Sequence, residues 1–275
     1  MNITLLGTGS PVPDANRAGP STLVVGGEAG TQILVDAGRG VVSRLSGAGS
    51  LPVFLSGILL THLHSDHVSD LNDVITSHWV MAPDGTPLSI YGPVGTARFV
   101  EKTLDAMASD VGYRVGHHDD LTQGPTLRVT ELEPGDEITI GGLRVTTAAT
   151  DHRPVAPTLA YRVFEGERSV VLAGDGIPCS TLDELLVGAQ AYVQTVIRAD
   201  LVKLVPMARF QDILDYHSTV EQAAITATRT GVETLVLTHY VPAPAPGDEL
   251  AWASAATAYF HGTLIAGPDL TTFTI

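Results

Sequence analysis

The chain reads as an α/β protein, specifically a four-layer α/β/β/α sandwich. Three observations predict this. A series of short apolar strands fills the first 60 residues, and a second series begins near residue 127. Helix-like stretches follow each series, so both sheets have a helical cover. No repeat, low-complexity tract or flexible linker interrupts the 275 residues, and residues 1–275 read as a single domain.

The elements follow in order. Alternating or fully apolar runs predict strands at residues 2–6, 22–25, 31–36 and 57–60. A helix is expected over 68–79, a short strand over 88–91 and a second helix over 96–108. The second series comprises 127–132, 137–140 and 143–147, then a hairpin of 158–164 and 169–173. Two S/T-x-x-E pairs, Thr181 with Glu184 and Ser218 with Glu221, predict capping boxes that start helices. Gly231 ends the second of these before the apolar run that reaches His239. The segment from Pro242 to Gly247 is a stiff loop, because a helix resumes over 248–259.

The chemistry concentrates in Thr61-His62-Leu63-His64-Ser65-Asp66-His67. Gly57-Ile58-Leu59-Leu60 delivers this stretch from a buried strand, and a helix follows. Imidazoles and a carboxylate at such a junction can point into one pocket, which suits a borderline cation such as zinc. His62 and His64 alternate and can share one ion, while Asp66 and His67 are better aimed at a second. A dinuclear site needs about six or seven protein ligands. Three candidates stand at strand ends: His152 after 143–147, Asp175 after Val170-Val171-Leu172-Ala173-Gly174, and His239 after Leu235-Val236-Leu237-Thr238. Taken singly, each is equally readable as structural.

Composition describes a chain with a sizeable core and no membrane span. It is 44% hydrophobic, and no run approaches the ~20 apolar residues of a spanning helix. The N-terminus enters a strand without a basic segment, so no secretion signal is expected. The single cysteine, Cys179, excludes an internal disulfide and suits the cytoplasm; an inert packed thiol is its plain reading. Fifteen Lys and Arg stand against 30 Asp and Glu, a formal net charge of −15. The cations are scattered, with Arg198, Lys203 and Arg209 the one loose group. Nucleic-acid binding leaves a basic footprint, so this balance disfavours it and favours a small-molecule substrate. A homodimer remains compatible with the reading.

In this order the motifs resemble the metallo-β-lactamase superfamily of hydrolases, and most closely its ribonuclease Z and arylsulfatase-like branch. The opening Ile3-Thr4-Leu5-Leu6-Gly7-Thr8-Gly9-Ser10-Pro11, then Arg17-Ala18-Gly19-Pro20-Ser21, matches that branch. Ile33-Leu34-Val35-Asp36-Ala37-Gly38 matches its acidic strand end, and His217-Ser218-Thr219 its second catalytic histidine. The resemblance implies that His62, His64 and His152 hold one metal, and that Asp66, His67 and His239 hold the other, with Asp175 bridging. It implies two Zn2+ ions, Mn2+ or Fe2+ being the alternatives, and a second-layer role for Asp36 in orienting the histidines. Ribonuclease Z proteins that grip tRNA carry a long arm between the third-motif histidine and the bridging aspartate. Here His152 and Asp175 are 23 positions apart, filled by the expected hairpin. The resemblance therefore counts against tRNA processing.

The expected activity is hydrolysis of a small phosphodiester, aryl sulfate or related ester by a hydroxide shared between two cations. Asp66 would orient that nucleophile, and His217, spare as a ligand, would serve the leaving group or the oxyanion. A lactonase or carboxylic ester hydrolase is the alternative; a tRNA 3′ endonuclease or a non-enzymatic ligand sensor ranks below both. Other motifs read as structure. Gly7-Thr8-Gly9 is a turn, since Pro11 and Pro13 forbid the helix a dinucleotide loop requires. His117-His118-Asp119-Asp120 reads as a solvated loop, with a substrate-touching lid as its sharper reading. His78 and His261 read as structural.

Overall fold

In the computed structural model, which describes residues 1–275, two seven-stranded sheets lie face to face with helices on both outer faces. The first sheet comprises β1 (Asn2–Gly7), β2 (Ser21–Gly26), β3 (Thr31–Val35), β4 (Gly57–Leu59), β5 (Leu88–Pro93), β6 (Leu127–Leu132) and β14 (Thr271–Thr274). Its order is β14-β1-β2-β3-β4-β5-β6, antiparallel as far as β3 and parallel beyond. The second contains β7 (Glu137–Ile140), β8 (Leu143–Ala149), β9 (Leu159–Glu165), β10 (Arg168–Leu172), β11 (Ala191–Ile197), β12 (Thr234–Val241) and β13 (Thr263–Ala266). Its order is β13-β12-β11-β10-β9-β8-β7, parallel from β13 to β10 and antiparallel thereafter.

Period-2 alternation explains the layering. Ile33 and Val35 of β3 and Val170 and Leu172 of β10 turn into the space between the sheets, where they meet Leu59, Tyr161 and Val236. Their neighbours turn outward. Leu34, Ile58 and Leu60 pack against α1 (Val41–Gly47), α3 (Leu71–Met81) and α4 (Thr96–His117). Val171, Tyr192, Leu235 and Leu237 pack under α5 (Ser180–Leu186), α8 (Val220–Thr230) and α9 (Glu249–Ala256). Strands buried on both faces read as continuous apolar runs, which is how β4, β10 and β12 were visible in sequence. The three apolar layers are those of an α/β/β/α sandwich.

Several local expectations are corrected. The helix expected over 68–79 is two helices, α2 (Ser65–Val68) and α3, because Asp70 leaves the helical path to accept from the Gly40 N–H (2.5 Å) and donates its own N–H to the Ala37 carbonyl (3.0 Å). Helix α4 runs on to His117, so His117 is helical rather than in a loop. The first capping box is absent: α5 starts after Cys179, and Thr181 Oγ1 donates instead to the Ala149 carbonyl (2.7 Å). The second is displaced by one residue: Thr219 and Gln222 form the box, and Ser218 Oγ donates to the Gly176 carbonyl (2.7 Å). Strand β11, helix α1, and the short α6 (Ala199–Val202) and α7 (Ala208–Asp212) were not expected.

Candidate metal centre

The strand ends gather at one edge of the sandwich. Backbone from β3, β4, β8, β10 and β12 terminates there, and each strand delivers one polar side chain or a short run of them. Two constraints hold the ends close. Gly174, just after β10, has φ +66°, and a Cβ there would lie 2.8 Å from Cβ of Thr61. Gly38, after β3, admits no Cβ either, since one would stand 2.6 Å from the Asp66 carbonyl oxygen. Two non-glycine residues adopt left-handed backbone here, Asp36 (φ 60°) and His239 (φ 52°). For His239 this coincides with a register shift in the β11–β12 ladder, which turns its ring off the strand and into the site.

The structure brings the seven expected ligand residues into two adjoining groups. His62, His64, His152 and Asp175 form one; Asp66, His67 and His239 form the other, with ligand atoms in each group within 4.8 Å of one another. In the first, His62 Nε2 lies 3.0 Å and His152 Nε2 3.3 Å from His64 Nδ1. Two nitrogens each about 2.0–2.1 Å from one tetrahedral cation sit roughly 3.3 Å apart, so this spacing fits a shared ion. Asp175 Oδ2 touches both groups. It lies 3.8 Å from His62 Nε2 and His152 Nε2, 3.4 Å from His67 Nε2 and 3.6 Å from His239 Nε2.

Partners behind the rings decide which nitrogen faces inward. Asp36 accepts from His67 Nδ1 (2.7 Å), from the Thr61 amide (2.8 Å) and from the Thr61 hydroxyl (2.8 Å). Because that hydroxyl donates to Asp36, it can only accept from His62 Nδ1 (3.0 Å). His152 Nδ1 donates to the Tyr216 carbonyl (2.9 Å). Each bond commits Nδ1 as the donor and leaves Nε2 bare toward the centre. Three buried polar atoms then have no hydrogen-bond partner, His67 Nε2, Asp175 Oδ1 and His239 Nδ1. Unpaired buried polar atoms are costly, and their occurrence within this one cluster fits residues built to hold cations.

Electrostatics agree. Burial pushes the imidazoles of His62 and His64 below their ordinary range, and that of His152 down to about 4. These three are neutral at physiological pH, the form that binds metal. Burial also opposes ionisation of Asp66 and Asp175, but nearby rings outweigh it. The His239 hydrogen bond and the charge of His67 hold Asp66 below the usual carboxylate range, and His239, His67 and His217 hold Asp175 well below it. Burial alone would also push His67 down, yet Asp175 and Asp36 raise it well above its usual value. The buried carboxylates demand positive charge, and without a cation His67 supplies it.

His217 stands beside this cluster. Its Nδ1 reaches the Ile213 carbonyl (3.2 Å), and its Nε2 lies 3.3 Å from Asp175 Oδ2. A cleft of about 500 Å³ opens over His64, Asp66, Asp175, His217 and His239. Its walls come from Ser10, Pro11 and Val12 and from a segment between Met207 and Tyr216 that sequence reasoning missed. Tyr216, whose carbonyl orients His152, carries no sequence signal beyond its place next to His217. Tyr161 was missed too; its hydroxyl donates to the Leu60 carbonyl (2.6 Å), bracing the strand end before His62. Cys179 sits half-buried outside the cleft, at the start of α5. His118 and Asp120 line a separate groove with Asp84 and Arg114, so the lid reading fails. His78 is buried in α3, and His261 is exposed.

Comparison with known proteins agrees with this geometry. The family description "Beta-lactamase superfamily domain" matches residues 31–240. A ribonuclease Z of Mycobacterium avium (strain 104) is 54% identical over 272 residues, covering 98% of this chain and 96% of the relative. The chain belongs to the ribonuclease Z branch of the beta-lactamase superfamily. It is a metal-dependent hydrolase, and its His/Asp cluster is able to bind metal. Among solved structures, the metallo-beta-lactamase fold protein YhfI from Bacillus subtilis superposes with a TM-score of 0.74 at 20% identity, covering 99% of this chain and 98% of that one. Human tRNase Z, short form, gives 0.74 at 20% identity, covering 100% and 99%. These two likenesses establish the fold alone. That the mycobacterial relative is named a ribonuclease runs against the reading, drawn from charge, that nucleic acid is disfavoured. The physical reason is that net charge sums the whole exterior, whereas recognition depends on the field at the cleft.

Proposed function

We propose that the chain is a zinc-dependent phosphodiesterase that cleaves RNA. The observation that carries this reading is the 54% identity, from end to end, to a protein named ribonuclease Z. Five imidazoles and two carboxylates form a donor set that suits zinc, with Mn2+ and Fe2+ as alternatives. A pair of divalent cations, when bound, would acidify a shared water toward a pKa near 7 and offset charge on the phosphoryl oxygens. The chain's own residues do the rest. Asp66, ionised and 3.2 Å from His239 Nε2, accepts a hydrogen bond from the attacking water and orients it. His217 reaches the same space from the opposite wall and donates to the leaving oxygen or to the charge developing on phosphorus-bound oxygen. Asp36 keeps His67 and His62 turned inward through Thr61. The substrate is an RNA strand, and the enzyme works in the cytoplasm. The single cysteine, Cys179, is a free thiol, as suits a reducing compartment. No helix is long and apolar enough to cross a membrane.

A second reading, a small organic phosphodiester, is favoured by one observation: the hairpin of β9 and β10 fills the span between His152 and Asp175, leaving no protruding arm to grip a folded RNA. Aryl sulfates and lactones fall behind both readings, because a nuclease relative implies phosphodiester chemistry. The zinc-loaded enzyme should cut a precursor tRNA within its 3′ trailer at physiological salt. The activity should vanish with a chelator and return with zinc. Hydrolysis of bis(p-nitrophenyl) phosphate with no cleavage of any RNA would transfer the assignment to the small diester.

Asp36→Asn tests the support behind the rings. It keeps the size of the side chain but takes the charge from beside His67, so zinc affinity should fall by about 10–100-fold with the fold retained. Competition against a chromogenic chelator measures this, and an unchanged affinity would remove Asp36 from the role.

A further inference from the structure

The wall of the cleft opposite Ser10 carries features that cation binding does not explain. Residues 198–216 leave β11 and return to α8 through α6, α7 and a turn at Ile213–Asp215. The segment is anchored by its own Val202, Phe210, Ile213 and Leu214 against Ile197 and Val241. Yet Phe210 is only half-buried, and Met207 is 47% exposed, although both line the cleft. Between them stands Arg209, exposed and the one Lys or Arg lining that cleft. Arg198, at the start of the same segment, is clamped by both oxygens of Asp200 (2.7 and 2.6 Å). Arg209 forms no such pair. An unpaired guanidinium beside an aromatic and a thioether, above a phosphodiester-cleaving floor, is a surface matched to a nucleotide.

We propose that this wall is a nucleotide subsite: Phe210 and Met207 take a base adjoining the scissile bond, and Arg209 pairs with the next phosphate along the strand. The inference rests on the RNA reading and narrows it. The His/Asp cluster at the floor takes up the scissile phosphate, which leaves Arg209, on the wall, for a second one. A small diester has a single phosphate and leaves Arg209 unused. An RNA strand supplies both the base and the second phosphate, and base stacking tolerates sequence because every base has a π face.

The test compares three substrates on the zinc-loaded enzyme: methyl p-nitrophenyl phosphate, p-nitrophenyl thymidine 5′-phosphate, and a short single-stranded oligoribonucleotide. Arg209→Ala should lower kcat/KM on the oligoribonucleotide by about 10–100-fold while changing the two p-nitrophenyl esters less than about threefold. Its KM on the oligomer should also depend less steeply on salt, the logarithmic slope shrinking by about 0.7 for one lost phosphate contact. Arg209→Lys should restore part of both. Phe210→Ala should lower kcat/KM by about tenfold on the two nucleotide substrates, spare the methyl ester, and leave the salt slope unchanged. Equal effects on all three substrates, or an unaltered salt slope for Arg209→Ala, would overturn the subsite while leaving RNA cleavage intact. A wild-type enzyme that hydrolyses the esters but never the oligomer would refute the RNA reading itself, and the subsite with it.

Discussion

Asp175→Ala should cost the protein both cations rather than one. Asp175 Oδ2 is within 3.8 Å of five histidines, His62, His67, His152, His217 and His239, which belong to both ligand groups and to the candidate acid. Removing it deletes a candidate ligand from the first group and the carboxylate that faces the second, and leaves five buried or nearly buried rings around a void. Zinc per protomer should fall from two equivalents to near none after gel filtration. Turnover should drop by on the order of 10⁴-fold or more, as for removal of a group on which a whole catalytic unit depends. A thermal readout separates metal loss from misfolding. Wild type should melt higher with zinc, by a ligand contribution of about 4 kcal/mol at 1,000 times its Kd, whereas the variant should melt at the same temperature with or without the metal. Two equivalents of zinc retained in a folded Asp175→Ala would end the bridging assignment.

His217→Ala should do the opposite, keeping both cations and losing turnover. The seven clustered candidate ligands are complete without it. Its ring is held between the Ile213 carbonyl and Asp175, at the head of a helix capped by Thr219. A loss of about 10²–10⁴-fold in kcat is expected for a general acid or a preorganised donor. The leaving group distinguishes the two. Proton donation matters less when the departing oxygen is stable as an anion, so the deficit should shrink on p-nitrophenyl esters relative to RNA. A uniform deficit across leaving groups would indicate stabilisation of charge on the phosphoryl oxygens. Wild-type rates on every substrate would show that the ring is structural.

What could be read in the sequence was what short-range pattern encodes. Strands buried on both faces leave long apolar runs, so β4, β10 and β12 announced themselves, together with the polar residues at their ends. His62, His64, Asp66 and His67 stood out because all four lie within six positions. Helix boundaries were less legible. The break at Asp70 depends on Gly40 and Ala37, some 30 residues away, and the shift of the cap from Ser218 to Thr219 depends on the Gly176 carbonyl. Strand β11, Ala191–Ile197, has Gln194 and Thr195 in its middle, which blurred its apolar run. Both are nonetheless buried, because Gln194 Nε2 donates to the Gly174 and Thr195 carbonyls (3.2 and 2.8 Å) and Thr195 Oγ1 to the Gly174 carbonyl (3.0 Å).

The sequence by itself determined the fold class, the candidate ligand residues and the order in which strands would present them, because burial period and residue chemistry are local properties. It also suggested, from a global sum of charge, that nucleic acid was disfavoured as a partner, and that was the inference least tied to any place in the molecule. Only the tertiary structure decided how His152 after β8, Asp175 after β10 and His239 of β12 meet the motif after β4, since a shared ion requires atoms within a few ångströms across separations of up to 177 positions. The same holds for the wall that carries Arg209 and Phe210. Nothing in their neighbours marks them, and their meaning comes from facing a floor assembled by other strands.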